Sequence, residues 1–316
     1  MKRLMMAAAV VAGLSMLGCG VDKGEPFREG FPQQETVKLN LPENKTALTG
    51  EGQRRDGLEG QIAEFYKLTR GVTTQVNGAG AAVLTLVQKI AEHRPTSVTQ
   101  NVAVWGPHTD ALSPNTFKFT VTMTAQNEFT YLLEAKGKTE ADSRYRAILS
   151  GSHVSTGHKL GSGTFLIDFD KAKELPENDG NVGAATYVYS KLTATADVAI
   201  DATFQRVRDG ETGGLVDVNY GYREQPGNGG EFKFRMNKNW VSGPGIEVLT
   251  VKSRWQQSGA GRSDARATGG DLPGVATASE CWDSGFASRY LNASFDPGLN
   301  YGQESSCAFP TAEYAP

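Results

Sequence analysis

The side chains that could support acid–base or metal chemistry are few in this sequence. Asp168 and Asp170 lie two residues apart, so on a strand their carboxylates would share one face and could transfer protons or bind Ca²⁺. No further ligands follow at calcium-loop spacing, and the pair is more typical of a solvated strand end that leads into a turn. The four histidines are His93, His108, His153 and His158. The sequence contains neither an HExxH nor a GxSxG motif, so it predicts neither a metal centre nor an enzyme.

Arginine and aspartate alternate in a glycine-rich segment near the C-terminus. The residues concerned are Arg262, Asp264, Arg266 and Asp271. Such a set could bind an anion. Charges of this kind are more typical of a solvated ion-pair network that holds a loop, because exposed pairs are common and individually weak.

Cys19 lies in surroundings that indicate a specific covalent modification. Lys2 and Arg3 form a basic start, residues 4–17 are almost entirely apolar, and the small residue Gly18 precedes Cys19. The apolar run is shorter than the roughly 20 residues of a transmembrane helix. We therefore expect a lipobox, with cleavage before Cys19 and acyl chains on its thiol. The alternative is an ordinary secretory signal that happens to contain a cysteine.

The other two cysteines, Cys281 and Cys307, form a pair once Cys19 is lipidated. In an exported chain an even pair is most simply a disulfide. Free thiols are the alternative. Metal binding is disfavoured because no histidine or third cysteine lies nearby in the sequence.

Composition limits the class of protein. The chain has 316 residues, 39% of them hydrophobic and 21% charged, which is enough for a sizeable core. Its net charge is −3 and its pI is near 5.9, so it lacks the basic balance of a nucleic-acid-binding protein.

The sequence is predicted to divide into three segments. Residues 1–18 are predicted to be a lipoprotein signal peptide. Residues 19–56 carry the lipidated cysteine and are rich in Gly, Pro, Gln, Glu and Lys, which predicts a flexible tether. The last third of this segment could instead pack on the domain as irregular coil. Residues 57–316 are predicted to form a single α+β domain whose C-terminal tail is pinned by the disulfide.

Hydrophobic periodicity predicts the elements of this domain. A period of 3.6 over residues 56–70 and again over 81–93 predicts a pair of helices separated by a glycine-containing connection. From residue 97 the period changes to 2, and short polar loops separate about eight to ten strands. The predicted class is α+β, with an N-terminal helical pair followed by a large curled antiparallel meander that forms an open or half barrel.

Aromatic side chains recur on one face of these predicted strands. They are Phe117, Phe119, Phe129, Tyr131, Phe204, Tyr220 and Phe232. They are the candidates for an apolar ligand face. The alternative is that they fill a solid core, as apolar strand faces normally do.

Several short motifs resemble uncharacterised predicted lipoproteins of a kind abundant in myxobacteria. The motifs are Gly161-Ser162-Gly163-Thr164, Arg254-Trp255, Gly259 to Arg262, Gly269-Gly270-Asp271 and Glu280-Cys281-Trp282. The resemblance implies a location in the cell envelope and carries no assigned chemistry. The order of helices and meander also resembles, in architecture alone, the half-barrels of periplasmic lipoprotein carriers.

Two functions are consistent with these observations. The first is a non-enzymatic cell-envelope lipoprotein, anchored in the membrane through Cys19, that binds a lipid or another apolar or amphipathic ligand without a cofactor. The alternative is a surface-displayed structural or adhesion protein that acts through protein–protein contacts. Gly20, following Cys19, favours the outer membrane as its location.

Overall fold

A computed structural model describes residues 23–42, 59–209, 213–239 and 243–314. The predicted signal peptide, Cys19 and residues 43–56 of the predicted tether lie outside the described residues. No helix in the described part has the length and apolar character that crossing a membrane requires.

The described residues form one antiparallel sheet of fifteen strands in sequence order, from β1 to β15. The first eight strands are β1 (Ser97–Val98), β2 (Val102–His108), β3 (Asn115–Ala125), β4 (Glu128–Gly137), β5 (Arg146–Gly157), β6 (Leu160–Asp168), β7 (Ala184–Lys191) and β8 (Val198–Arg208). The others are β9 (Leu215–Gln225), β10 (Gly229–Lys238), β11 (Glu247–Gln256), β12 (Gly261–Gly269), β13 (Ala276–Trp282), β14 (Ser288–Ala293) and β15 (Tyr301–Gly302). Both edge strands have only two residues, which limits the exposed hydrogen-bonding edge.

Apolar and polar residues alternate along most of the strands, as the sequence predicts, so that one side of such a strand is buried and the other faces solvent. In β8, Ile200, Ala202 and Phe204 are buried, whereas Asp201 between them is exposed. The predicted meander is therefore confirmed. Because the sheet dominates and helices are few, the fold is closer to all-β than to the predicted α+β class.

The predicted helical pair is wrong. Among the described residues there is one long continuous α-helix, α2 (Glu64–Glu92), with two short ones, α1 (Glu25–Arg28) and α3 (Phe169–Lys173). A glycine in the middle of a helix lowers helix stability by about 1 kcal/mol relative to alanine. The glycines between residues 71 and 80 therefore predict a break between two helices. In α2 the buried Val72, Val76 and Leu84 follow one stripe against the sheet, and this packing outweighs the weak local propensity.

Helix α2 lies across one face of the sheet, called the inner face below. Near its N-terminus the Tyr66 ring stacks on Phe286 at 4.2 Å. In its middle the Tyr187 hydroxyl on β7 donates to the carbonyl of Val76 at 3.2 Å. Just beyond its C-terminus the Trp105 indole on β2 donates to the carbonyl of His93 at 2.9 Å. The helix therefore spans from the β13–β14 end of the sheet to β2.

Residues 24–42, called the strap below, also pack on the inner face. Phe27, Phe31, Val37 and Leu39 are buried in the same core as the sheet. This differs from the flexible tether predicted for residues 19–56. The average composition of that segment is polar, but four well-placed apolar side chains are enough to dock this mostly irregular chain on the sheet.

The C-terminal tail, residues 303–314, lies on the opposite, outer face of β11–β13. The predicted disulfide between Cys281 and Cys307 is present, with a Cα–Cα distance of 5.6 Å. It joins β13 to the tail and so holds the tail against the outer face. In the chain-entropy model a loop of this length stabilises the fold by roughly 3–4 kcal/mol.

Candidate functional site

The seven aromatic residues predicted as a ligand face line the inner face. Phe119, Phe129, Tyr131, Phe204 and Phe232 are buried. Phe117 and Tyr220 are half-buried and pack against the same core. The sheet thus brings all seven to one face, as the alternation predicts.

The chain itself covers part of this face. The Phe31 ring of the strap meets Phe119 edge-on at 5.2 Å and lies 6.4 Å from Tyr131. At Gly30 the strap backbone approaches so closely that a Cβ atom would lie 2.6 Å from Val121 and 2.7 Å from Phe129. These contacts favour the solid-core interpretation over an open ligand face.

Two side chains hold the strap by its backbone. The Asn77 side chain on α2 accepts from the Leu39 N–H and donates to the Leu39 carbonyl, both at 2.9 Å. The Tyr222 hydroxyl on β9 lies 3.0 Å from the Asn40 nitrogen and 2.8 Å from its carbonyl oxygen. These side chains hold the backbone at Leu39 and Asn40 without a neighbouring strand.

Charges from distant parts of the sequence cap both ends of α2. Glu280 on β13 accepts from the Phe65 N–H and from the Ser288 hydroxyl, both at 2.7 Å. At the other end Arg28 donates to the carbonyls of Ala91 at 2.6 Å and His93 at 3.1 Å. An anion at the N-terminus and a cation at the C-terminus both match the helix dipole. Burial is the main reason that the pKa of Glu280 is raised.

His153 is buried on the inner face beside the aromatic residues. Its Nδ1 atom lies 2.8 Å from the Tyr189 hydroxyl. Glycine at position 163 makes room for this arrangement, because a Cβ atom there would lie 2.8 Å from the Tyr189 hydroxyl oxygen. Burial lowers the pKa of His153 to about 4. The side chain is therefore a neutral core histidine at pH 7.

This burial predicts a pH-dependent stability. The unfolded chain protonates His153 near pH 6.5 and the folded chain near pH 4, so the free energy of unfolding should fall as pH drops through that window. The expected loss is about 3 kcal/mol. His153→Gln should remove this part of the profile in urea titrations at pH 4 to 7. The exposed His158→Gln is the control, and equal profiles for the two variants would contradict the prediction.

A buried ion-pair network lies under the C-terminal tail. Asp264 on β12 accepts from Arg262 Nε, Arg254 Nη2 and Ser279 Oγ, each at 2.7 Å, and from the Glu313 N–H at 3.1 Å. The side chains of Arg262 and Asp264 are fully buried. The predicted ion pairing exists, but it is buried and lies on a strand rather than in a solvated loop.

The tail neutralises the cations of this network. Glu304 lies 2.7 Å from Arg262 Nη2, and the Phe309 carbonyl accepts from Arg262 at 3.1 Å. The Thr311 carbonyl accepts from Arg254 at 2.8 Å. Burial opposes the charged form of Arg262, but its ion pairs with Asp264 and Glu304 prevail, and its pKa is raised. Arg254 Nε is buried in this network without a hydrogen-bond partner among the described residues.

Asp168 and Asp170, considered above for proton transfer or Ca²⁺ binding, instead make contacts that stabilise the fold. Asp168 caps α3 by accepting from the Lys171 N–H at 2.8 Å. Asp170 accepts from the Gly183 N–H at 3.0 Å and pairs with Arg206 at 3.4 Å. Within the described ranges no cluster of three or more His, Cys, Asp or Glu side chains could hold a metal ion.

On the outer face, two cross-strand rows over β2–β7 and a shorter row over β5–β7 contain no charged side chain. The first row is Val102, Thr122, Thr130, Ser152, Thr164 and Val188. The second is Val104, Thr120, Leu132, Ser150, Leu166 and Thr186. The third is Val154, Ser162 and Ser190, and its next position, on β4, is the exposed Glu128. These fifteen residues are called the uncharged patch below.

Along the first row, charged side chains reappear on the outer face at the next strand, β8. The first row continues from Val188 to Asp201 on β8, Gly221 on β9, Lys233 on β10 and Lys252 on β11. Lys252 pairs with Glu313 of the tail at 3.2 Å. The outer face is therefore divided into a charged part, which the tail partly covers, and the uncharged patch.

Sequence reasoning missed the uncharged patch. Alternation showed that Thr and Ser occupy the outward positions of several strands, but only the register of the sheet aligns them into rows. No protein-family model, curated protein or solved structure matches this chain. A functional assignment therefore rests on its own geometry and chemistry.

Proposed function

We propose that this protein is a non-enzymatic cell-envelope lipoprotein that acts through protein–protein contact at the uncharged patch. The observation that carries the proposal is that two cross-strand rows run over six adjacent strands of an exposed sheet face without a charged side chain. Depletion of charged residues is the compositional signal that distinguishes the core of a protein interface from ordinary surface.

The size and character of the patch fit this role. Strands lie about 4.8 Å apart and residues two apart in a strand about 7 Å apart, so the three rows cover roughly 500 Å². That is close to the lower limit for one side of a specific interface. Val154, Leu166 and Val188 are 42%, 39% and 48% exposed, and so supply apolar area.

The inner face gives less support to the alternative, an apolar-ligand carrier. The candidate ligand residues pack against one another and, at Phe119 and Tyr131, against the strap. A carrier of this design would first have to expel its own strap and lose that packing. Contact through the outer face requires no such change.

The anchor would hold the patch at a membrane. Cys19 precedes the strap by few residues, so a lipid on its thiol would place the folded body close to the bilayer, with the outer membrane as the proposed location. Cys19→Ser should release the protein from the membrane fraction. Unchanged fractionation of this variant would contradict the anchor.

Photo-crosslinking in intact cells tests the contact function. A photoreactive amino acid at Thr164, in the centre of the patch, should give a discrete adduct of higher mass. The same amino acid at Lys233 is the matched control, because that position lies in the same row, also exposed, on β10. Val188→Lys should abolish the Thr164 adduct while changing the free energy of unfolding by no more than about 0.5 kcal/mol.

Two outcomes would contradict the proposal. One is the absence of any adduct at Thr164 in cells that contain the folded, anchored protein. The other is the same set of adducts from Thr164 and Lys233, which would indicate random collision rather than a specific partner.

A further inference from the structure

A pocket of about 310 Å³ lies between the strap and α2, outside the uncharged patch. One wall is a single helix face, formed by Arg70, Thr73, Thr74 and Asn77 at spacings of three and four residues. The other wall is the strap, from which Lys38 and Asn40 reach the pocket at alternate positions. The pocket exists only because the strap is docked.

The lining of this pocket is cationic. Two positive side chains, Lys38 and Arg70, line it, and no carboxylate does. Within the described part of the chain, neither cation has an ion pair, although other surface cations such as Lys67 and Lys159 do. Arg70 is half-buried, so its guanidinium is partly removed from water.

The two charged groups of the pocket are uncommitted donors. The Thr73 and Thr74 hydroxyls donate to carbonyls of their own helix, and Asn77 is occupied by Leu39. The guanidinium of Arg70 and the ammonium of Lys38 remain available. A guanidinium binds phosphate oxygens in bidentate fashion, and an ammonium adds a point charge.

We propose that this pocket binds the phosphate group of a small phosphorylated molecule or of a phospholipid head. Its volume exceeds that of a phosphate ion and lies at the lower end of ligand pockets, so a polar moiety would accompany the phosphate. The two sources share the same recognition chemistry, and the experiment separates them.

Calorimetric titration of the full chain with glycerol 3-phosphate is the first arm. Saturable binding is expected, and Arg70→Gln and Lys38→Gln should each weaken it at least tenfold. Lys67→Gln removes one positive charge from the same helix, at an exposed position outside the pocket, and should leave binding unchanged. Absence of saturable binding, or equal weakening by Lys67→Gln, overturns the proposal.

Vesicle flotation is the second arm, performed on the full chain with Cys19→Ser so that no acyl anchor contributes. Arg70-dependent binding to phosphatidylglycerol vesicles, with none to phosphatidylcholine vesicles, assigns the phosphate to a lipid head. Glycerol 3-phosphate binding without vesicle binding assigns it to a soluble ligand. Vesicle binding that Arg70→Gln leaves intact counts against the pocket.

Discussion

Replacing Phe31 with Ala is expected to lower the free energy of unfolding by about 3–5 kcal/mol, the range for deleting a buried aromatic ring. Phe31 is only 2% exposed and packs edge-on against Phe119 on β3. The substitution would leave a cavity in the main core, although residue 31 lies in a segment whose composition indicates a tether. Urea titration of the purified chain measures the effect.

Glu35→Ala is the matched control in the same strap. Glu35 is exposed and pairs with Lys159 at the surface, and such pairs contribute about 0–1 kcal/mol. If Phe31→Ala destabilised the protein no more than Glu35→Ala, the strap would not be part of the core.

Removing the buried carboxylate of Asp264 is expected to have an effect of similar size. Asp264→Ala leaves Arg262, whose side chain is fully buried, without the one of its two counter-charges that is also fully buried. Breaking a buried pair by removing one partner costs about 3–5 kcal/mol. We also expect the tail to loosen, since Glu313 loses its backbone contact with Asp264. Thermal or urea unfolding of the oxidised protein measures this loss.

Asp201→Ala is the control for the buried pair. Asp201 pairs with Arg223 at 2.8 Å, but the two side chains are 52% and 47% exposed. Solvent screens this pair, so its removal should cost less than about 1 kcal/mol. Equal losses for Asp264→Ala and Asp201→Ala would show that the network under the tail is not buried in solution.

The sequence predicts the meander well because strand alternation is a local property. Residues 117–123 alternate strictly between apolar and polar, residues 194–204 alternate with mostly polar or small partners, and strands β3 and β8 include parts of both regions. The disulfide also follows from local information, namely the cysteine count and the predicted export. Neither prediction needs knowledge of which strands are neighbours.

Features that depend on tertiary contact were not predictable. The continuity of α2 depends on packing of Val72 and Val76 against the sheet, which outweighs the glycines nearby. The role of Glu280 as a cap for α2 joins residues 215 positions apart. The uncharged patch requires the register of six strands. Periodicity in a single sequence contains none of this information.

The central claim is that the chain fills its own inner face, with the strap as part of the core, so that the outer face remains for contact. Amide hydrogen exchange at Leu39 and Asn40 tests this most directly, because Asn77 and Tyr222 hold these two N–H groups. We predict strong protection at both positions, comparable with that of the central strands. Exchange at the rate of an unstructured peptide would contradict the claim.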